Sequence, residues 1–473
     1  MNTKQTKILA TIGPSSKNKE TLKEMMLAGM DVVRLNFSHG DHSGMQEIID
    51  AVRELNEEMG ASIALLADLQ GPKIRIGKMK EGVVLLEGET FELSTQKREG
   101  GQDGAYISYQ SFAKDVKRGE KILLDDGKLE LIVKETDKDD KVTTTVSHGG
   151  PLTSNKGVNL PNTHVSLPSL TEKDRKDLQF ALEQNVDWVA LSFVRKAADV
   201  VELRDLIQKS NSRARIISKI EKPEAIDNID SIIEETDAIM VARGDLGVEI
   251  PMENVPLIQK MLVKKCIRKA KPVIVATQMM ESMIENITPT RAEVNDVANA
   301  VLDGADAVML SGETSVGKHP VEVIQKMTRI IGQIEEHDNI FYHEFAPSDQ
   351  KGDRFISDLI CYSSCRLAQR SNAKAIITMT FSGYNAIKIS SHRPKAKIVV
   401  FTGNRELLAK MSLVWGVRAF YYDSMISTDK TIDDIKSFLM DKGVVQIGDM
   451  VVNVASIPIS EKGMTNMLKL STV

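Results

Sequence analysis

The chain repeats one pattern: a short uninterrupted apolar run, then a longer stretch with apolar residues at helical spacing. The runs are "KILATIG", "VVRLNFS", "IALLADL", "WVALSFV", "RIISKI", "AIMVARG", "VIVATQM" and "AVMLSGE". They are continuous rather than alternating, as expected of parallel strands covered on both faces. Segments such as "NKETLKEMMLAG" and "VPLIQKMLVKKCIRKA" provide the covering helices. Eight strand–helix units predict a closed (β/α)8 barrel.

The gap between the third and fourth runs is too long for a helix. From 72 to 167 the pattern becomes Gly-punctuated and strand-like ("GVVLLEGETFELS", "EKILLDDGKLELIVKE", "KVTTTVSHGG"), which predicts a small β-barrel inserted into a barrel loop. Pro161 and Pro168 mark the return, and Thr171 to Asp174 has the spacing of a capping box. After the eighth unit a polar linker, "EFAPSDQKGD", leads to strands "AKAIITMT", "AKIVVFTG", "VRAFYY" and "DMVVNVAS" with helices between. These are too few for another barrel and predict an open, mostly parallel sheet. The expected division is 1–71 with 168–345 for the barrel, 72–167 for the insertion, and 346–473 for a C-terminal α/β domain.

Composition narrows the function classes. The 61 Lys and Arg against 66 Asp and Glu leave a net charge of -5. That argues against a nucleic-acid or anionic-membrane binder, which needs a basic surface. No apolar run approaches the roughly 18 residues of a membrane span, and the N-terminus reads straight into a strand, so a cytoplasmic protein is expected. Cys266, Cys361 and Cys365 read as reduced core thiols.

In barrels of this kind, chemistry is built at the C-terminal strand ends. Here those ends carry Arg34, Asn36 and Ser38; Asp68; Lys219 and Glu221; Gly244 and Asp245; Thr277; and Ser311 with Glu313. Arg34, Asn36 and Ser38 alternate, which on a strand aims all three one way. Lys219 and Glu221 also share a side, and alone they read equally as a surface ion pair. "GDLG" alone reads as a turn, and His39 as either a phosphate contact or an exposed turn residue; His42 carries no assignment. Taken together, Glu221 and Asp245 on adjacent strands suit Mg²⁺, a hard cation that takes one or two carboxylates plus substrate oxygens. Lys219 and Arg34 beside them would clamp anionic oxygens, the arrangement phosphoryl transfer needs. A small phosphorylated acid is the implied substrate.

With those residues in hand, the sequence resembles the pyruvate kinase family along nearly its whole length. The resemblance rests on "TIGPSS", "GMDVVRLNFSHG", "DLQGPKIRIG", "NKGVNLP", "ISKIEKPEAIDNIDSII", "DAIMVARGDLGVEIP", "VIVATQMMESM", "PTRAEVNDVANAVLDGADAVMLSGET" and "GMTNMLKL". It implies phosphoryl transfer from phosphoenolpyruvate to ADP, giving ATP and an enolate that is protonated to pyruvate. Glu221 and Asp245 match the Mg²⁺ ligands, Lys219 the lysine facing the transferring group, and Arg34 a phosphate contact. Gly244, Asp245 and Thr277 match the carboxylate cradle, while Thr277, Ser311 and Glu313 lie where proton delivery is placed. Asn36, Phe37, Ser38, His39, Arg75 and Lys156 match the nucleotide side, so the insertion is expected to act as a lid over ADP.

Three further expectations follow from the resemblance. Asn36, Ser38, Asp68 and the Leu69 backbone match a pocket that in many members holds K⁺. Those members carry a glutamate where this chain has Lys73, so Lys73 is the expected replacement cation and K⁺ is not expected to be required. Thr380, Ser382 and Gly383 match an effector pocket for a sugar phosphate or nucleotide, although Tyr384 and Asn385 depart from the sugar-bisphosphate-responsive pattern. A homotetramer is the family's usual assembly. Two other readings remain: a Mg²⁺-dependent barrel lyase or aldolase acting on pyruvate, and a catalytically silent metabolite sensor.

Overall fold

The computed structural model describes residues 4–161, 163–337, 340–343, 345–347, 352–424, 427–458 and 463–473. All eight apolar runs are strands: β1 (Lys7–Thr11), β2 (Val32–Asn36), β3 (Ala64–Asp68), β4 (Trp188–Leu191), β5 (Arg215–Ile220), β6 (Ala238–Ala242), β7 (Val273–Ala276) and β8 (Ala307–Leu310). They pair in chain order and in parallel, and β8 closes on β1 with Lys7 opposite Ala307. The continuous apolar runs are explained by two cores. Inward residues such as Leu66, Trp188, Ile217 and Met240 fill the barrel, and Leu413 of the C-terminal region packs with them. Outward residues such as Val33, Leu65, Ile216 and Val241 meet the helices. Burial on both faces leaves no position along these strands where a polar residue is cheap; their C-terminal ends are the exception.

The insertion has its own core, including Phe91, Leu93, Ile122, Leu131 and Val142. It forms a six-stranded sheet whose edges are Val158–Asn159 and Gly104–Tyr106. Single bridges join Arg75 to Gly157 and Ile76 to Ile107, so the segment entering the insertion spans both edges. The return runs into helix Glu172–Glu183, opened by the expected Thr171–Asp174 capping box. Asp174 also accepts a hydrogen bond from the Gly71 N–H at 3.0 Å, tying the exit from the barrel to the re-entry.

Of the polar linker, Glu344 and residues 348–351 lie outside the described residues. Beyond it stands a five-stranded sheet, ordered Val417–Tyr421, Lys397–Thr402, Ala375–Met379, Met450–Ala455 and Met467–Thr472. The first four strands are those read from the sequence. The fifth, antiparallel to its neighbour, was not anticipated. It is an edge strand anchored by Met467 and Leu468 and half-buried or exposed beyond them, so "MLKLST" carries no sustained apolar run. Cys266, Cys361 and Cys365 are buried and free, and no helix among the described residues is long and apolar enough to cross a membrane.

Candidate active site

The polar strand ends converge on the barrel mouth. Asn36 of β2 stands opposite Asp68 of β3, which in turn stands opposite Ala190 of β4. Arg34 Nε donates to Asp68 Oδ2 at 2.6 Å, and its Nη1 donates to Thr11 Oγ1 at 2.8 Å. Lys219 Nζ reaches Glu221 Oε1 at 2.8 Å and donates to Ser192 Oγ at 2.7 Å. It also lies 3.3 Å from Asp68 Oδ1, a buried oxygen with no hydrogen-bond partner among the described residues.

Burial would lower the Lys219 pKa, but Asp68, Glu221 and Asp245 outweigh it and hold the ammonium firmly charged. Asp68 is likewise pulled below the carboxylate range by Lys219 and Arg34 despite its burial. Glu221 moves the other way: burial lifts its pKa, Lys219 opposes the shift, and the like charge of Asp245 adds to it. A buried carboxylate held up by a second carboxylate is a place that favours a cation. No cluster of three or more metal-ligating side chains occurs among the described residues. Mg²⁺ does not need one, since it binds through one or two carboxylates and completes its shell with water and substrate oxygens. The residues present therefore fit that ion.

Ser192 and Phe193 were not singled out by the sequence. Ser192 Oγ donates to the Leu69 carbonyl at 2.8 Å and accepts from Lys219, fixing the ammonium sideways. Phe193 adopts a left-handed φ of 55°, and its N–H donates to Glu221 Oε2 at 2.8 Å. The only signal was a serine interrupting the apolar run "VALSFV".

Arg243, one of the charged strand ends in the sequence, had no role assigned to it. Thr277, a β-branched residue, sits at φ 70°, where such residues are genuine outliers. Its Oγ1 accepts from the Gly244 N–H at 2.7 Å, and Arg243 Nη2 donates to its carbonyl at 2.7 Å. Asp296 holds the same guanidinium at 2.7 Å. Strain of this kind costs on the order of 1–3 kcal/mol and persists only where neighbours enforce it. Arg243→Ala is therefore expected to relax Thr277 and lower kcat by roughly ten- to a hundredfold, since each 1.36 kcal/mol is about a factor of ten. Steady-state kinetics check this; an unchanged kcat would show that the strain is incidental.

Ser311 caps the short helix Gly312–Ser315. Glu313 is buried with its pKa raised by burial, and both its oxygens accept backbone N–H groups, from Met280 at 3.1 Å and Ser311 at 2.7 Å. It thereby joins the ends of β7 and β8.

On the nucleotide side, β2 stops at Asn36, so the alternation expected to carry Ser38 ends there. Ser38 lies in a turn, its N–H donating to Asn36 Oδ1 at 3.1 Å. The Phe37 ring is buried, edge-on to Phe180 and His42. His42 stacks on Phe180 and contacts Asp177 at 2.9 Å, a structural position. His39 is exposed in the turn; partial desolvation lowers its pKa first, then Arg75, Lys73, Arg34 and Lys173. Four cations thus lie close enough to act on one ring, which makes this side of the mouth attractive to anions. Lys173 was not foreseen; its Nζ donates to the Phe37 carbonyl at 2.6 Å. Arg75 donates to the Asn155 carbonyl at 3.2 Å, and Lys156 pairs with Asp125 at 2.9 Å.

Lys73 is exposed, lines a cavity of about 730 Å³ together with Asp126 and Asp245, and has no ion-pair partner among the described residues. The carboxylate of Asp68, expected in a monovalent-cation pocket, is taken up by Arg34 and Lys219. In the C-terminal domain, Thr380 and Ser382 line a cavity of about 800 Å³. Gly383, at φ 81°, caps helix Tyr384–Ser391. Thr380 Oγ1 accepts the Gly383 N–H at 3.1 Å, and Arg354 lies over the Tyr384 ring at 4.2 Å.

Known proteins share this fold and much of this sequence. Residues 3–324 fit the family model for the pyruvate kinase barrel domain, and residues 358–471 that for the pyruvate kinase alpha/beta domain. The chain is 43% identical over 472 residues to a pyruvate kinase of Mycobacterium tuberculosis, covering 100% of this chain and 99% of the relative. It is 44% identical to a pyruvate kinase of Geobacillus stearothermophilus, covering 99% of this chain and 80% of that one. The crystal structure of a pyruvate kinase from Cryptosporidium parvum superposes with a TM-score of 0.92 at 37% identity, over 99% of this chain and 96% of that chain. Fold and sequence together define a phosphotransferase built on a (β/α)8 barrel. The chain belongs to the pyruvate kinase family, whose substrates are phosphoenolpyruvate and ADP and whose product is pyruvate.

Proposed function

We propose that the mouth cluster runs Mg²⁺-dependent phosphoryl transfer from phosphoenolpyruvate to ADP without a requirement for K⁺. The observation that carries this is Lys219, held charged against Asp68, Glu221 and Asp245 at one strand-end rim. Mg²⁺ held by Glu221 and Asp245 would draw charge from the substrate's carboxylate and enol oxygens. Lys219 faces the transferring group and offsets charge developing on it. Arg34 holds a phosphate, and Gly244, Asp245 and Thr277 cradle the carboxylate. Thr277, Ser311 and Glu313 line the route of the final proton.

The insertion acts as a lid bringing Arg75 and Lys156 to the phosphates of ADP, with Asn36 to His39 on the facing rim. Lys73 replaces the monovalent cation beside Asn36, Ser38, Asp68 and Leu69; its exposure and lack of an ion-pair partner among the described residues leave its charge free for that task. Thr380, Ser382 and Gly383 form the effector pocket for a sugar phosphate or nucleotide, the chain works as a homotetramer, and the three-part division at 71/72, 167/168 and 345/346 follows the separate cores.

One assay tests the reading: pyruvate release from phosphoenolpyruvate, with ADP and Mg²⁺ each present or omitted. Release is expected only with both, and to be equal in K⁺, Na⁺ or a bulky organic cation. Lys73→Glu is expected to create a K⁺ requirement. Release without ADP would point to a lyase, and strong K⁺ activation of the unaltered enzyme would sink the role of Lys73.

A further inference from the structure

Glu249 joins the insertion to the barrel. It ends helix Arg243–Glu249, four residues after Asp245 and so on the same helical face. The residue is 5% exposed. Its Oε1 accepts from Lys222 Nζ at 2.7 Å and from Asn159 Nδ2 at 2.8 Å, while Oε2 is buried without a hydrogen-bond partner among the described residues. Lys222 belongs to the barrel, immediately after Glu221; Asn159 belongs to the edge strand by which the insertion returns.

The same cluster meets the segment that leaves the barrel for the insertion. The Lys222 ammonium lies 5.9 Å from the Phe193 ring centre, and Phe193 donates its N–H to Glu221. Phe193 also packs on Gly71, where a Cβ would come within 2.6 Å of its Cδ2. Both connections of the insertion thus end on residues that touch Glu221 or share a helix with Asp245.

We propose that Glu249 and Lys222 form a latch, with Asn159 as its catch, that sets where the insertion stands over the mouth; they are positioning residues for the nucleotide. This rests on the reading of the insertion as a lid over ADP. A plain structural ion pair would need nothing from the insertion. A buried pair is stable only when further hydrogen bonds complete it, and here the completing donor, Asn159, lies on the moving part. Displacing the insertion strips a donor from a buried carboxylate that already has one unsatisfied oxygen. The latch therefore favours one lid position, the one that fixes Lys156 and Arg75 relative to Asp245.

The test uses the full-length enzyme with Asn159→Ala, Asn159→Asp, Glu249→Gln, the Asn159→Ala/Glu249→Gln double variant, and Lys156→Ala as a control on the lid itself. Losing a hydrogen bond to a charged acceptor is expected to raise KM for ADP about tenfold in Asn159→Ala, with KM for phosphoenolpyruvate and the melting temperature little changed. Asn159→Asp, which sets a second carboxylate against Glu249, is expected to raise KM for ADP further. The double variant is expected to fall short of the sum of the two single effects, since Glu249→Gln weakens, and Asn159→Ala removes, the same contact. If Asn159→Ala leaves KM for ADP within about twofold of the parent while Lys156→Ala raises it, the latch is wrong and the lid stands. If neither raises it, both are wrong. Additive effects in the double variant would also overturn the latch. Should Glu249→Gln fail to fold, the order parent, Asn159→Ala, Asn159→Asp in KM for ADP decides alone; any other order overturns the proposal.

Discussion

Replacing Lys219 with Met is expected to lower kcat about a thousandfold while phosphoenolpyruvate still binds. A unit charge about 4 Å from the transferring group, at an effective dielectric near 20, contributes roughly 4 kcal/mol, and each 1.36 kcal/mol is about a factor of ten in rate. The ammonium is already oriented: Ser192 holds it from one side, and Asp68 and Glu221 from two others. Little reorganisation is therefore left for the moment of transfer, which places the contribution in kcat rather than in ground-state binding. Single-turnover kinetics together with a phosphoenolpyruvate binding titration separate the two. A variant keeping a tenth of the parent kcat, or losing substrate binding in proportion, would remove Lys219 from the reaction.

Glu221→Gln is expected to raise the Mg²⁺ concentration for half-maximal activity on the order of a hundredfold or more, since losing even an outer partner of a metal site costs about ten- to a hundredfold. The substitution keeps the side-chain shape and removes one of two charges. It also takes the negative charge from the 2.8 Å partner of Lys219, so activity at saturating Mg²⁺ is expected to recover only in part. Titrating activity with Mg²⁺, and measuring binding of Mn²⁺ as a spectroscopic probe, tests both statements. Unchanged Mn²⁺ affinity would mean that the metal lies elsewhere.

Much of the site was legible because strand ends are where a barrel has room for charge. "SKIEK" puts Lys219 and Glu221 on one side of a strand two residues apart, and the period of two carries them to the same mouth. That logic fails as soon as a strand stops. Ser38 was placed by alternation, but β2 ends at Asn36, and a side-chain hydrogen bond from Asn36 turns the chain. It fails again for residues whose task is to hold a neighbour. Arg243 looks like one more charge in "ARGDLG"; only β7, folded beside it, gives it the Thr277 carbonyl. Asp68 has two partners on other strands, Arg34 and Lys219, which no pattern along its own strand supplies.

By itself, then, the sequence determined the eight strands, the insertion, the open C-terminal sheet and the sign of the charges at each strand end. These follow from burial, which is local in period even when its partners are distant. The tertiary structure decided which charges meet, and hence which carboxylate is pulled down and which is pushed up. It also decided that the insertion is fastened to the barrel through Asn159, Glu249 and Lys222. The reason is physical: a pKa or an ion pair depends on distances of a few ångströms between strands far apart in the chain, and no pattern along one strand encodes them.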